Sequence, residues 1–191
     1  MPKLKDPTKL KDIHDACVVL INKHGFSGLI MADVAQSALI ATGTLYVYYK
    51  SKESLINEVY RQTKKEFIAA LVDSKNATPD FFQTFKNMWL SYFSFCLANP
   101  QKMMFVEKLV YSGYIDKEII AETENALMPL NQFLEYGIAQ GKFKNTHLEL
   151  MKAQMQGSIF ELIKTITQQH IYIDDSDKNV CFAMTWDAMR R

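Results

Sequence analysis

The sequence predicts an all-α fold, on three observations. Apolar residues recur every three or four positions along most of the 191 residues, which is the spacing of one face of an amphipathic helix. The composition is 48% hydrophobic with only 7 Gly and 5 Pro, so it allows a sizeable core and favours helices over turns. The one run that favours a strand, residues 171–173, is too short and lies between predicted helices.

A basic segment and a first helix open the chain. Pro2 and Pro7 favour an extended or short-turned start, which predicts a flexible basic arm. The charges of this arm are Lys3, Lys5, Lys9 and Lys11 against Asp6 and Asp12. A helix then runs from about residue 8 to 24, and Gly25 is the expected left-handed residue after it. Its predicted apolar face comprises Ile13, Ala16, Cys17, Leu20 and Ile21.

Two short helices joined by a tight corner follow. The first carries residues 33–35, the corner falls at 38–40, and the second helix runs from about 41 to 48. A much longer helix then begins near residue 52 and continues to about Ser74. This is the plan of a helix-turn-helix unit, whose second helix enters the major groove of DNA.

The rest of the chain is also predicted to be helical. The helix at about 80–98 is apolar almost all round, so other elements should surround it. Pro129 should kink or interrupt the helix at about 116–140. A shorter helix is predicted to end at Tyr111, because Gly113 interrupts helical structure. Two further helices are predicted, over about 146–170 and from Ser176 to the C-terminus.

Residues 13–55 resemble the DNA-binding domain of the tetracycline-repressor family of bacterial transcription regulators. The matching residues are Ala16, Leu20, Gly25, Phe26, Val34, Ala35, Gly43, Leu45, Tyr46, Tyr48, Tyr49, Lys50, Lys52, Glu53 and Leu55. The resemblance implies an N-terminal three-helix DNA-binding domain over residues 7–67, with its helix-turn-helix reader at about 30–49. It also implies a C-terminal helical effector-binding and dimerisation domain over residues 68–191.

The resemblance further implies how the reader would meet double-stranded DNA. Residues implied to hold phosphates are Tyr46, Tyr48 and Lys52, and those implied to face bases are Thr42, Thr44 and Val47. Gly43, Lys50 and Lys9 complete the implied contact set. Leu45 and Tyr49, four residues apart, should point inward. No arginine precedes Arg61, so the commonest specific contact to guanine is missing and base reading should be thin per half-site.

Three positions depart from the family pattern. Leu39 occupies a corner position that often carries glycine, and a left-handed leucine would cost on the order of 1 kcal/mol. Ala41 stands where a capping side chain is usual, a loss of roughly 0.5–2 kcal/mol. Leu29 and Ile30 replace a common Thr-Thr pair. We expect the fold to persist, because tertiary packing supports short helices more than caps do.

Soft and aromatic side chains in the C-terminal helices favour a cavity for a small, mainly apolar effector. The candidate lining residues are Trp89, Tyr92, Phe93, Met103, Phe105, Tyr111, Met128, Met155 and Phe160. Each is otherwise interpreted as a plain core residue. The polar stripe of Gln83, Asn87, Ser91 and Ser94 is either a solvated face or the polar lining of that cavity.

The last two helices predict a homodimer. The final helix has one apolar face of Val180, Ala183, Met184 and Ala188 and another of Phe182, Trp186 and Met189. Two such faces exceed what one core needs, which suggests a partner chain. By resemblance, residues 146–191 pair with their copies as a four-helix seam. The candidate interface residues are Met155, Ile159, Leu162, Ile166, Val180 and Met184.

Several other classes are disfavoured. The four histidines are single and scattered, and catalytic or metal-binding motifs are not apparent, so we predict no enzyme, metal or cofactor. No apolar run suits a signal peptide or a membrane span, which predicts a cytoplasmic protein without a membrane partner. Cys17, Cys96 and Cys181 are interpreted as buried reduced thiols, with a redox sensor as the alternative.

We therefore expect a ligand-responsive transcription regulator. We expect this regulator to be a repressor that binds a palindromic operator as a dimer and is released from DNA by a small apolar effector. The alternative is a helical ligand- or partner-binding protein whose degenerate reader binds DNA without sequence specificity. The net charge of +1 does not decide between them, because the position of the charges matters more than their sum.

Overall fold

A computed structural model describes residues 6–73 and 77–191, and within these ranges the chain forms helices and no strand. The first four helices are α1 (Pro7–His24), α2 (Met31–Ser37), α3 (Thr42–Tyr48) and α4 (Lys52–Val72). The other six are α5 (Phe81–Ala98), α6 (Pro100–Val110), α7 (Lys117–Ala126), α8 (Met128–Ala139), α9 (Leu148–Gln169) and α10 (Asp175–Met189). The predicted all-α fold is therefore confirmed. Of the predicted flexible basic arm, residues 1–5 lie outside the described residues, whereas Lys9, Lys11 and Asp12 lie in α1, so this part of the arm is helical rather than flexible.

Local sequence signals account for most helix ends. Asp80 caps α5 by accepting a hydrogen bond from the Gln83 amide at 2.6 Å. Asp174 forms a reciprocal capping box with Asp177 at the start of α10. Gly25 ends α1 with φ 72° and ψ 178°, a conformation that glycine alone adopts readily, and its amide bonds Ile21 O at 2.9 Å.

Pro129 interrupts the helix predicted over residues 116–140. The structure has two helices there, with α7 ending at Ala126 and α8 beginning at Met128. Proline lacks an amide hydrogen and its ring clashes with the preceding turn, so it is tolerated only in the first turn of α8. The predicted interruption is confirmed.

The chain divides into two compact units, of which the first contains the helix-turn-helix. This unit comprises residues up to Lys64 together with Gln101–Ala121. Its fully buried side chains include Ile13, Cys17, Ile21, Val34, Leu45, Leu55, Ile56 and Val59. Four residues of the predicted apolar face of α1 are buried, namely Ile13, Ala16, Cys17 and Ile21. The fifth, Leu20, is only half-buried, and Val18, which the prediction omits, is buried.

Residues 101–121 join the first unit through long-range polar and aromatic contacts, although the predicted boundaries place them in the second domain. Phe26 stacks on Tyr114 with ring centroids 3.4 Å apart. The buried Asn57 side chain donates to Tyr114 O at 3.5 Å and accepts from the Asp116 amide at 2.9 Å. The Lys108 amine donates to Asn22 O at 2.5 Å. The two bonds of Asn57 satisfy its buried side-chain amide, which would be energetically costly in the core of this unit without hydrogen-bond partners.

The second unit comprises Lys65–Pro100 and Glu122–Arg191 and is built around α5. Aromatic rings fill its core: Phe81, Phe85, Trp89, Phe93, Phe133, Phe143, Phe182 and Trp186. Gly137 is required for this packing, because a Cβ there would lie 2.5 Å from the Phe143 ring and 2.6 Å from Phe81. The buried side chains of α5 recur at intervals of three and four residues, so they lie on one face of the helix, and Phe82, Gln83 and Ser94 elsewhere on it are exposed. The prediction that other elements surround α5 almost all round is therefore wrong.

Candidate nucleic-acid interface

Two buried side chains anchor the predicted recognition helix, α3. Leu45 is fully buried and Tyr49, the residue after the helix, is 5% exposed, as their spacing of four predicts. The Tyr49 hydroxyl lies 2.8 Å from His14 Nε2 on α1, so the end of α3 is tied to the first helix. Burial raises the pKa of Tyr49, so its phenol, which is neutral at physiological pH in any case, also stays neutral in moderately alkaline solution.

The opposite face of α3 is open to solvent. Thr42, Gly43, Tyr46 and Val47 are exposed, and no neighbouring atom lies within 4 Å of a Cβ placed on Gly43. Thr44 and Tyr48 are half-buried at the edges of this face. The helix thus presents hydroxyls, a phenol and a methyl-bearing side chain, the groups that bond phosphates and contact thymine methyls.

The corner before α3 is strained. Leu39 has φ 54°, inside the left-handed region, and its side chain is 93% exposed. Its amide bonds Gln36 O at 3.1 Å and the Ile40 amide bonds Ala35 O at 2.9 Å, so hydrogen bonds hold the turn. Ala41 begins α3 without a side-chain cap, as predicted. The corner geometry is therefore held by backbone bonds and packing, despite an unfavourable residue at its tip.

Lys52 has protein partners that its implied phosphate role does not include. Its amine lies 3.4 Å from Phe26 O and 3.5 Å from Ser27 O, and 5.0 Å from the centre of the Phe26 ring. Cations favour both the carbonyls after a helix end and the face of an aromatic ring. Lys52 thus connects the start of α4 to the turn that follows α1.

The other implied DNA contacts are spread around the reader. Lys9 and Lys50 are exposed cations in the structure. The Tyr48 hydroxyl accepts a hydrogen bond from the Asp6 amide at 3.2 Å, which places the N-terminus of α1 beside the end of α3. These positions bring two cations and two tyrosines to the same unit as the exposed face of α3.

A shallow acidic pocket limits this surface. It has a volume of about 340 Å³ and is lined by Asp12, Asp15, Ala16, Val19, Ser37, Ala38 and Leu39. Asp15 is paired with Lys11 at 2.7 Å. Carboxylates repel DNA phosphates, so the side of the corner that faces α1 is unsuited to the DNA backbone.

The candidate effector residues do not form one group. Trp89, Tyr92, Phe93, Met155 and Phe160 are buried in the second unit, whereas Met103 and Phe105 are buried on α6. Tyr111 is 94% exposed and Met128 is 50% exposed, so neither lines an enclosed cavity in this structure. Both lie at helix ends, where an apolar side chain is not forced into the core. The polar stripe of α5 is also divided, since Gln83 and Ser94 are exposed while Asn87 and Ser91 are half-buried.

The candidate dimer residues separate into a buried and an exposed set. Met155 and Ile159 are buried within their own unit, and Leu162 and Ile166 are half-buried. Val180 is 52% exposed and Met184 66% exposed, and Ala183 and Ala188 on the same face of α10 are exposed too. The opposite face of α10 buries Phe182, Thr185 and Met189. Two distinct apolar faces of this helix are therefore present, one of them open.

Among the described residues, no helix combines the length and the apolar character that a membrane span needs.

Two family models match the chain. Residues 13–59 match bacterial regulatory proteins of the tetR family, and residues 80–190 match the tetracyclin repressor-like C-terminal domain. Together these matches cover the helix-turn-helix and most of the second unit, from residue 80 onward.

Curated relatives and a solved structure resemble it too. An uncharacterized HTH-type transcriptional regulator of Haemophilus influenzae is 30% identical over 90 residues, 47% of this chain and 48% of that protein, so the chain spans about half of this relative's length in the match. The fatty acid metabolism regulator protein of Bacillus subtilis is 25% identical over 85% of both chains. A TetR family transcription regulator from Marinobacter aquaeolei VT8 has a TM-score of 0.88 and 26% identity, covering 96% of each chain.

These matches confirm the resemblance carried by residues 13–55. Members of this family are DNA-binding transcription regulators rather than enzymes, which agrees with the absence of a catalytic motif. The chain belongs to the tetracycline-repressor family of bacterial transcription regulators.

Proposed function

We propose that this protein is a repressor that binds a palindromic operator as a homodimer and leaves DNA when a small, mainly apolar molecule binds its second unit. The observation that carries the DNA-binding part is the exposed face of α3. That face combines exposed Thr42, Tyr46 and Val47 with buried anchors at Leu45 and Tyr49, so the helix is fixed while its outer side chains stay open. A fixed helix with open base-contacting groups is what reading in the major groove requires.

Selection of bound sequences from a random DNA pool, followed by footprinting, tests this part. We expect one palindrome, with half-sites about one helical turn or roughly 34–36 Å apart. Val47→Ala should weaken preference at one base position by about 1 kcal/mol, close to five-fold. Val19→Ala is the matched control, because Val19 is also exposed on a helix but lies at the acidic pocket. Salt-sensitive binding without any selected sequence would favour the degenerate reader instead.

The open face of α10 supports the dimer. Its four members, Val180, Ala183, Met184 and Ala188, recur at helical spacing and include two large apolar side chains exposed to water. Gly157 on α9 is also exposed, with no atom within 4 Å of an added Cβ, so a second helix has room to approach closely. A second copy of the chain would cover these faces in a symmetric, self-complementary interface.

The effector part rests on the aromatic core of the second unit. Trp89 and Phe93 on α5 are fully buried, and their rings are stacked. Met155 and Phe160 are buried on α9, which contacts α5. Apolar rings and thioethers suit a mainly apolar molecule. A panel of lipophilic compounds, including fatty acids because one relative is a fatty acid metabolism regulator, would be tested for loss of operator binding. If no compound in the panel lowered operator affinity, the proposed release would be wrong.

A further inference from the structure

Two tyrosine hydroxyls connect the C-terminal end of the recognition helix to α1. The Tyr48 hydroxyl accepts a hydrogen bond from the amide of Asp6, the N-cap of α1, at 3.2 Å. About two turns further along α1, His14 Nε2 lies 2.8 Å from the Tyr49 hydroxyl. The Tyr49 amide also donates to Leu45 O at 2.9 Å, so the contact with His14 fixes the residue that closes α3. The placement of the reader against α1 therefore depends in part on His14.

A carboxylate on α4 acts on the same pair. Glu58 accepts hydrogen bonds from Arg61 Nη1 and from Gln62 Nε2, each at 2.7 Å. Burial opposes its ionisation, but these two hydrogen bonds, with the charges of Arg61 and His14, lower the pKa of Glu58. Burial first, and then the Glu58 charge, raise the pKa of Tyr49. Glu58 thus lies close enough to act on both partners of the His14 contact, and its negative charge favours the charged form of the imidazole.

The other ionisable groups around His14 leave the imidazole as the group that changes charge near neutral pH. On α1 itself, burial raises the pKa of the Cys17 thiol to about 12. Lys11 and Asp15, also on α1, form an ion pair at 2.7 Å. The helix α2, which packs on α1, carries one carboxylate, the exposed Asp33. Carboxylates, phenols and amines ordinarily keep their charge between about pH 5.5 and 8, whereas imidazole does not.

We propose that His14 is a positioning residue for DNA binding, and that its protonation links DNA affinity to pH. The contact with Tyr49 survives the change of charge, because an imidazolium Nε2–H donates to the phenol oxygen as a neutral Nε2–H does. Protonation therefore adds a positive charge at the end of the recognition helix without releasing that end. DNA phosphates favour this charge, so the pKa of His14 should be higher in the DNA complex than in the free protein. This gain in affinity is complete below the pKa of the free protein and is lost as the pH rises through the pKa of the complex.

DNA affinity measured between about pH 8 and 5.5 tests the link, with a short mixed-sequence duplex at one low salt concentration as the probe. The probe needs no palindrome and no effector, so failure of the proposed repressor function would leave this test intact. A rise of about 0.5–1 in the pKa of His14 corresponds to an affinity about 3- to 10-fold higher at the acid end. His14→Gln should lose this gain and match the wild type at pH 8, because the glutamine amide can replace Nε2 without titrating. His24→Gln is the matched control, since His24 is exposed at the end of the same helix, and this variant should keep the gain.

His14→Leu separates the positioning role from the charge. At pH 8 the leucine removes the hydrogen bond to Tyr49, and DNA binding should weaken by about 3- to 10-fold relative to His14→Gln. Titration of the imidazole signals of the wild-type protein by nuclear magnetic resonance gives a second readout, with His14→Gln used to assign the signal. The pKa of His14 should rise when the duplex is added. An unmoved His14 pKa, a wild-type pH profile in His14→Gln, or equal affinities of His14→Leu and the wild type at pH 8 would each overturn the proposal.

Discussion

Replacing Leu39 with glycine should stabilise the protein. Leu39 is held at φ 54°, where a side chain with a Cβ costs about 1–2 kcal/mol relative to glycine. The leucine side chain is 93% exposed, so its removal sacrifices almost no buried apolar surface. Glycine increases the conformational freedom of the unfolded chain, which offsets about 0.5–1 kcal/mol of the gain. The net expectation is a rise of about 0.5–1 kcal/mol in the free energy of unfolding.

Ser37→Gly is the matched control for this substitution. Ser37 is exposed and two residues away, but it is the last residue of α2, where glycine only adds unfolded-state freedom. We expect this variant to lose about 0.5–1 kcal/mol, so the two variants should differ by about 1–2 kcal/mol. That difference isolates the strain at the corner. His170, at φ 53° and exposed, offers an independent repetition in the second unit.

Urea unfolding followed by far-ultraviolet circular dichroism, at one fixed protein concentration, measures these changes. The slope of free energy against urea should be the same in all variants, so that midpoints report stability. If Leu39→Gly lost as much stability as Ser37→Gly, the left-handed leucine would not be strained and the reasoning would be refuted.

Three further outcomes follow from the described contacts. Lys50→Ala should flatten the slope of log DNA affinity against log salt concentration by about one unit without changing the melting temperature. Lys52→Ala should flatten the slope and also lower the melting temperature, because the Lys52 amine bonds Phe26 O and Ser27 O. Equal melting temperatures for the two variants would contradict this role of Lys52. Burial raises the pKa of Cys17 and of Cys96 to about 12, so both thiols should resist a thiol reagent at pH 8, while half-exposed Cys181 should react first. The same shift makes folding stability depend on pH, because the folded protein favours the neutral thiols. This contribution to the free energy of unfolding is complete below the unfolded pKa near 9 and should fall as the pH rises toward 12, by at most about 1.4 kcal/mol per pH unit for each thiol. Met184→Asp should give a folded monomer in sedimentation while Ile120→Asp, also at an exposed apolar position, stays dimeric; a dimeric Met184→Asp protein would place the interface elsewhere.

Helix positions could be predicted from the sequence because their signals are local. Gly25 and Pro129 each fix a helix end through a bond or a clash within four residues, and the structure has the ends where these residues predict them. The inward direction of Leu45 and Tyr49 follows equally from their spacing of four along one helix. In each case the physical cause is contained in a single turn of the chain.

The inclusion of residues 101–121 in the first unit could not be predicted in this way. Its causes are contacts between residues far apart in sequence, such as the bond from the Asp116 amide to Asn57, 59 positions earlier. Nothing in the local pattern around Asn57 indicates that its amide is buried. A polar residue on an amphipathic helix is ordinarily expected to face water.

An apolar stripe also does not say which partner covers it. The sequence groups Ile159 with Met184 as interface residues, because both lie on apolar faces of the last two helices. Ile159 is fully buried within its own chain, and Met184 is 66% exposed. An aspartate at Ile159 would therefore disrupt the core of the unit whether or not a dimer forms, and only substitutions at the open face of α10 can test association.

Lys52 illustrates the same limit at the reader. A lysine beside a tyrosine-rich recognition helix suggests a phosphate contact, and the resemblance to known regulators strengthens that interpretation. The structure adds that its amine lies over Phe26, whose ring stacks on Tyr114 in the segment 101–121. A phosphate that draws the amine away from the Phe26 and Ser27 carbonyls would weaken one support of this stack. DNA binding and the attachment of residues 101–121 would then be linked through one side chain, because the same amine cannot satisfy both sets of acceptors fully.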